Sequence, residues 1–360
     1  MQIFKKTLIS TVLFSVCFIS FSMVFLHISG LSLQKHLIYS DEIELSIPEE
    51  TNYLFCGTSQ CAMSIIPDII DEQLNVKSYN VSVQALKLRG RYELLKNITR
   101  SHAIDTVVLE ISLDSFTWNE DDLNEGDYNM LWYFGNYIKP SYILRHPYSI
   151  FSTQFNKLQK FYNDYMHSGF DQILAILRSN DSKKEEFQYW DNKELNRGYE
   201  EYSCNSVELS EDEAIATMNS ATLSKTYRNE NVKLLKKCIA LCKEQDIEVI
   251  IIVVPVSGTY IWQSNAEEGF DYFYEYLNDF CDANDCTLFD FNLLRDRHQN
   301  YSDSSAFYNT NHMGYTGAQQ LSNDFCDIVS AHASGEDIGT FFYETYQKMM
   351  NDSPYMTYIE

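Results

Sequence analysis

Two side chains far apart in the chain have the types and local settings of a nucleophile and its base. Ser59 stands in Gly57-Thr58-Ser59, directly after a short apolar run and before a helical pattern. A serine at such a junction lies beside the unpaired backbone N–H groups that open a helix, which can stabilise an oxyanion. Gly57 permits a tight turn. His312 lies in Phe307-Tyr308-Asn309-Thr310-Asn311-His312-Met313-Gly314, just ahead of the last helical pattern. An imidazole there can serve as general base to a serine hydroxyl, the pairing used for acyl transfer. Asn309, three residues earlier, can accept from the ring N–H and orient it, but it brings no charge. The plainer reading is that Ser59 or Thr58 caps the helix and that His312 is an ordinary loop histidine.

Other groups are weaker. Glu110, Asp114 and Asp105 bring carboxylates near one run, which suits an edge or a cap better than paired acid–base work on sugars. No phosphate loop or dinucleotide fingerprint occurs. The nine cysteines form no CxxC pair and no Cys/His cluster with zinc spacing. Cys238 and Cys242 share a helix face, and Cys281 and Cys286 flank a turn and could bridge. No cofactor and no metal site is expected. Sequons such as Asn97-Ile98-Thr99 matter only in a host that glycosylates.

Apolar runs and helical patterns alternate along the chain. Strands are expected at Asn52 to Cys56, Val76 to Tyr79, Asp105 to Ile111, Ile247 to Val254 and Thr287 to Phe291. Helices are expected at Ala62 to Gln73, Gln84 to Thr99, Asn229 to Gln245, about Glu267 to Ala283, and Tyr315 to about Ala331. Apolar strands separated by helices imply an α/β fold with a doubly wound five-stranded parallel sheet. Its ligand site falls beyond the carboxyl ends of the strands. The Ser59 turn, the Asn80 region, Ser112, Pro255 and the loop before His312 all lie there. Residues 112–224 interrupt the alternation. They are aromatic and acidic and read as a largely helical insertion, with a charged and mobile portion from Asp181 to Asp212.

Taken together, Gly57-Thr58-Ser59, Tyr79-Asn80, the Val-Val-Leu-Glu run at 107–110, Val253-Val254-Pro255, and Asn309-x-x-His312 with Gly317-Ala318 resemble the SGNH/GDSL hydrolase-like superfamily. The nearest likeness is to its membrane-anchored branch of DltD-like and AlgJ/AlgX-like proteins. The resemblance covers roughly residues 51–111 and 229–331. It implies an SGNH/flavodoxin-like three-layer fold with Ser59 as nucleophile and His312 as base. Asn309 stands where the family carries its acid; Asp303, nearby, is a possible substitute. The family's oxyanion glycine after the second strand is missing, so the Ser82 N–H or the Asn80 amide would serve beside Gly57 and Thr58. The resemblance further implies an esterase or O-acyltransferase acting on a cell-surface or exported polysaccharide, with a membrane-bound O-acyltransferase as possible partner. The alternative is a binding or assembly protein of a polysaccharide-modification or export system that keeps the fold without the reaction.

Lys5 and Lys6 precede an apolar run from Leu8 to Leu26, long enough for a transmembrane helix. No small-x-small cleavage site follows before Gly30, so the run reads as an uncleaved signal anchor, with a cleaved signal peptide as runner-up. The lysines favour a cytoplasmic N-terminus and place the body outside the cytoplasm. The expected organisation is an anchor at 1–30, a connector at 31–50, the α/β domain at 51–335 and a C-terminal helical tail at 336–360. A net charge of −24 argues against nucleic acid and against an anionic membrane surface. It also favours a neutral glycan over a polyanionic one.

Overall fold

The computed structural model describes residues 47–120, 130, 197–203, 227–264, 269–295, 301 and 305–352. All of them belong to one of the two units into which the chain divides, Glu44–Ile138 with Tyr189–Glu360. The expected anchor and most of the insertion lie outside the described residues. Among the described residues no helix is long and apolar enough to cross a membrane.

Five strands form one sheet: β1 Tyr53–Cys56, β2 Ser78–Asn80, β3 Thr106–Glu110, β4 Glu248–Val253 and β5 Thr287–Asp290. Their order is β2-β1-β3-β4-β5, and every neighbouring pair is parallel. Successive side chains leave a strand on opposite faces, and in β1 and β3 both faces are buried. That explains why these segments read as nearly continuous apolar runs rather than alternating ones.

The helices, in chain order, are α1 Ser59–Ala62, α2 Pro67–Leu74, α3 Leu88–Ser101, α4 Asn229–Lys243, α5 Gly258–Ser264, α6 Gly269–Asn284, α7 Tyr315–Ala333 and α8 Tyr346–Asp352. Tyr53, Phe55, Val108, Ile250 and Phe289 pack in one core with Ile70 of α2 and Leu321 and Phe325 of α7. The alternate residues Leu54, Cys56, Val107 and Leu109 are fully buried. Helices α3 and α4 pack together and bury Leu94, Leu95, Ile98, Leu235 and Cys238.

Two expectations change. The helix expected from Ala62 to Gln73 is two helices. Pro67 opens the second, and a proline biases the residue before it away from helical backbone; Ile66 is accordingly extended. The polar loop before His312 contains an antiparallel hairpin, β6 Phe307–Asn309 and β7 His312–Met313. Of the expected C-terminal helical tail, residues 336–352 are described; they include α8 and are joined to the body. Leu294 bridges to Phe342, α8 shares a core with Val256 and Phe270, and the Tyr346 hydroxyl donates to Asp290 Oδ2 at 2.7 Å. Cys281 and Cys286 are free thiols; the Cys286 N–H closes the turn onto the Cys281 carbonyl.

In this strand order the chain changes direction between β1 and β3, and such reversal points open a crevice at the carboxyl edge of a sheet. Ser59 follows β1 and Glu110 ends β3, so both lie at that edge.

Candidate active site

Glu110 shapes the turn that carries Ser59. Its Oε2 accepts from the Thr58 N–H at 2.7 Å and from the Thr58 hydroxyl at 3.0 Å. The Thr58 Oγ1 in turn accepts from the Gln60 N–H at 3.2 Å, capping α1. Thr58 therefore fills the capping role and leaves the Ser59 hydroxyl for other partners. Gly57 is required by crowding: a Cβ there would lie 2.6 Å from Glu110 Oε2 and 2.7 Å from Cys61 Cβ. Behind Glu110 sits Arg91, equally buried, with Nη2 at 3.7 Å from Oε2. Arg91 also donates from Nε to the Leu86 carbonyl at 3.0 Å and from Nη1 to the Glu110 carbonyl.

The hairpin of β6 and β7 brings the imidazole to this turn. Asn309 pairs with His312 across it. Asn309 Oδ1 accepts from the Asn311 N–H at 3.1 Å and lies 2.9 Å from His312 Nδ1. An amide oxygen only accepts, so it selects the imidazole tautomer with the proton on Nδ1. His312 Nε2 is then an acceptor, and it lies 2.7 Å from Ser59 Oγ. Two further bonds hold the hairpin in place. Gln60 Nε2 donates to the Asn311 carbonyl at 3.1 Å, and the Ser257 N–H, beyond β4, donates to the Thr310 carbonyl at 2.9 Å. Burial pushes the His312 pKa below its ordinary 6.5, and the negative charge of Glu200 opposes that shift. A neutral imidazole is the form that can take a proton from serine.

Asn80 and Ser82, expected to face an oxyanion, are engaged inside the protein. Asn80 is fully buried. Its Nδ2 donates to the Cys61 carbonyl at 3.0 Å and its Oδ1 accepts from the Ser82 N–H at 3.1 Å. These bonds brace α1 against β2. The Ser59 N–H, at the first position of α1, is a group for which the helix provides no acceptor.

A strap from the far end of the insertion, 197–203, crosses the same elements. Arg197 accepts at its carbonyl from the Asn80 N–H at 3.0 Å; Glu200 donates its N–H to the Ala62 carbonyl at 2.8 Å; Tyr202 accepts at its carbonyl from the Tyr315 N–H at 2.8 Å. This stretch lies inside the portion expected to be mobile, and it is instead fastened to α1, β2 and α7. Sequence reasoning gave Glu110 only as an edge or cap residue and did not single out Arg91 or Glu200. Nothing in the local sequence of Glu200 distinguishes it from the other acidic residues around it.

The remaining candidates fall elsewhere. Asp105 precedes β3, at the opposite end from Glu110, and accepts from Asn52 Nδ2 at 2.9 Å. Asp303 lies outside the described residues. A cleft opens beside Gln60, lined by Ser112, Asp114, Val254, Tyr260 and Asn292. Among the described residues no group of His, Cys, Asp and Glu has the arrangement to hold a metal ion.

A parallel α/β sheet with a Ser–His–Asn relay at its carboxyl edge defines a class of site: one that can activate a serine hydroxyl. No protein-family model matches this chain, and no curated protein sequence matches it.

Proposed function

We propose that this protein is a membrane-anchored, extracytoplasmic esterase or O-acyltransferase of SGNH/GDSL type. The single observation that carries the reading is the relay itself. Ser59 and His312 are 253 positions apart in the chain, yet Oγ and Nε2 lie at 2.7 Å, with Asn309 on the other ring nitrogen. In the reaction, Ser59 Oγ attacks an ester carbonyl while its proton passes to His312 Nε2. The tetrahedral oxyanion is met by the Ser59 N–H at the start of α1. Collapse expels the alcohol, which takes the proton back from His312, and leaves an acyl–Ser59 ester. Water or a second hydroxyl, deprotonated by His312, then releases or receives the acyl group.

The substrate class and location rest on the sequence. The apolar run from Leu8 to Leu26 with Lys5 and Lys6 before it supports an anchor with the body outside. The family likeness supports an acyl ester, acetyl in the first instance, on a surface or exported glycan, with a membrane-bound O-acyltransferase as donor partner. The net charge of −24 favours a neutral glycan. A second reading, a binding or assembly protein on the same fold, draws on two observations. Asn309 carries no charge, and the Asn80 and Ser82 groups are committed to internal bonds.

A fluorophosphonate probe applied to the full-length chain separates the two. Covalent labelling is expected in the wild type, and its loss in both Ser59→Ala and His312→Ala. The labelling rate is expected to be flat above the His312 pKa and to fall as pH drops through it, at a value below 6.5. A folded wild-type chain that does not label would leave the binding reading standing and remove the enzymatic one.

A further inference from the structure

We propose that Tyr202, Tyr308 and Tyr315 form an aromatic platform beside the His312 hairpin that binds a neutral glycan by stacking against the faces of its sugar rings. The choice of ligand rests on the glycan reading of the proposed function. The platform itself rests on contacts around the hairpin.

The three tyrosines come from three elements. Tyr202 is on the strap, Tyr308 is in β6 one residue before Asn309, and Tyr315 is the first residue of α7. The Tyr202 and Tyr308 rings lie 4.8 Å apart, tilted by 42°. The Tyr315 N–H donates to the Tyr202 carbonyl at 2.8 Å, so the strap is tied to the start of the helix at the same point. Among the described residues the exposed large apolar side chains are Tyr272, Tyr308 and Tyr315, and the last two meet here. A single exposed aromatic needs no explanation. A group gathered where strap, hairpin and helix join marks a binding surface.

The backbones beneath are held rigidly. A Cβ on Gly317 would lie 2.2 Å from the Ala306 carbonyl oxygen, so α7 packs directly on the start of β6. The Gly314 N–H donates to that same carbonyl at 2.9 Å. Gln319 Nε2 donates to the Tyr315 hydroxyl at 3.0 Å, which holds the ring along the first turn of α7. A surface fixed in advance loses little freedom on binding.

The surrounding groups select the occupant. An aromatic face is electron-rich, and the C–H groups on one side of a pyranose are apolar and weakly positive. Sugar hydroxyls need polar partners at the rim. Glu201 and Ser203 of the strap and Thr316 of α7 are exposed there. Residues 198–203 and 305–321 contain no Lys or Arg, and Arg197 is committed to Asp68 and Asp71. A phosphate or a uronate finds no lysine or arginine on these elements, and Glu201 and the net charge of −24 repel it. A neutral ring that stacks is what this chemistry recognises. The hairpin that carries the base also carries Tyr308, so a chain bound on the platform is held beside the relay.

The test is binding of cellohexaose, maltohexaose, chitohexaose and hexagalacturonate to the full-length chain. Contact is read by saturation-transfer NMR on the sugar and Kd by titration. At least one neutral hexasaccharide is expected to bind, and more tightly than hexagalacturonate. Tyr308→Ala and Tyr315→Ala are each expected to weaken it by about 10-fold, the scale of one aromatic stacking contact. Tyr308→Phe keeps the ring and is expected to stay within about 2-fold of wild type, whereas Tyr308→Leu, apolar but without a ring, falls with the alanine variant. If an alanine variant fails to fold, the Phe and Leu variants carry the comparison. Three results overturn the proposal: no binding of any neutral sugar to the folded wild type, binding that the tyrosine variants leave unchanged, or hexagalacturonate binding as tightly as the neutral sugars. Binding is read independently of fluorophosphonate labelling. Labelling without sugar binding removes the platform and leaves the enzymatic reading; sugar binding without labelling does the reverse.

Discussion

Arg91→Met is expected to destabilise the protein by about 3–5 kcal/mol, the loss typical when one member of a buried ion pair is removed. Arg91 and Glu110 are both fully buried. Removing the guanidinium leaves the Glu110 carboxylate facing only the Thr58 N–H and hydroxyl. It also strips donors from the Leu86 and Glu110 carbonyls. The pair is imperfectly bonded even in the intact protein: Glu110 Oε1 and Arg91 Nη2 have no hydrogen-bond partner among the described residues. An imperfect buried pair contributes little net stability, yet breaking it on one side is costly.

A second substitution separates these effects. Glu110→Gln removes the charge and retains an oxygen that can accept from Thr58. Arg91→Met combined with Glu110→Gln is therefore expected to lose clearly less than the sum of the two single losses. Urea unfolding of the four proteins measures this. Strict additivity would mean that the two side chains do not interact and that Glu110 is held by Thr58 alone. The outcome bears on function, because Glu110 places Thr58 and Thr58 caps the helix on which Ser59 stands.

The sheet was readable because its cause is local and repeated. The runs at 107–109 and 249–253 are apolar on every residue, as burial on both faces demands, and the helices between them carry one apolar face. The Ser59 turn and His312 were readable for a related reason. Both sit at the junctions of strong elements, and the carboxyl edge of a parallel sheet gathers such junctions. What could not be read is what depends on distant partners. Asn80 looked like a free amide because its acceptor is the carbonyl of Cys61 and its donor a backbone N–H, neither of which leaves a mark in side-chain pattern. Arg91 reads as one more polar residue of a helix until β3 is placed beside it. Glu200 lies in an acidic stretch of low apolar content, and only the strap's backbone bonds to Asn80, Ala62 and Tyr315 show that this stretch belongs to the site.

Asn309→Asp is expected to accelerate fluorophosphonate labelling by about 10-fold, the rate equivalent of 1.4 kcal/mol. In the intact protein Asn309 Oδ1 already accepts from His312 Nδ1 and from the Asn311 N–H. The tautomer and ring orientation are thus settled, and the aspartate adds charge alone. That charge stabilises the imidazolium and raises the His312 pKa, which burial holds down. The acid limb of the pH–rate profile should accordingly move to higher pH. An aspartate that slows labelling would show that the amide is the better orienting group in this hairpin.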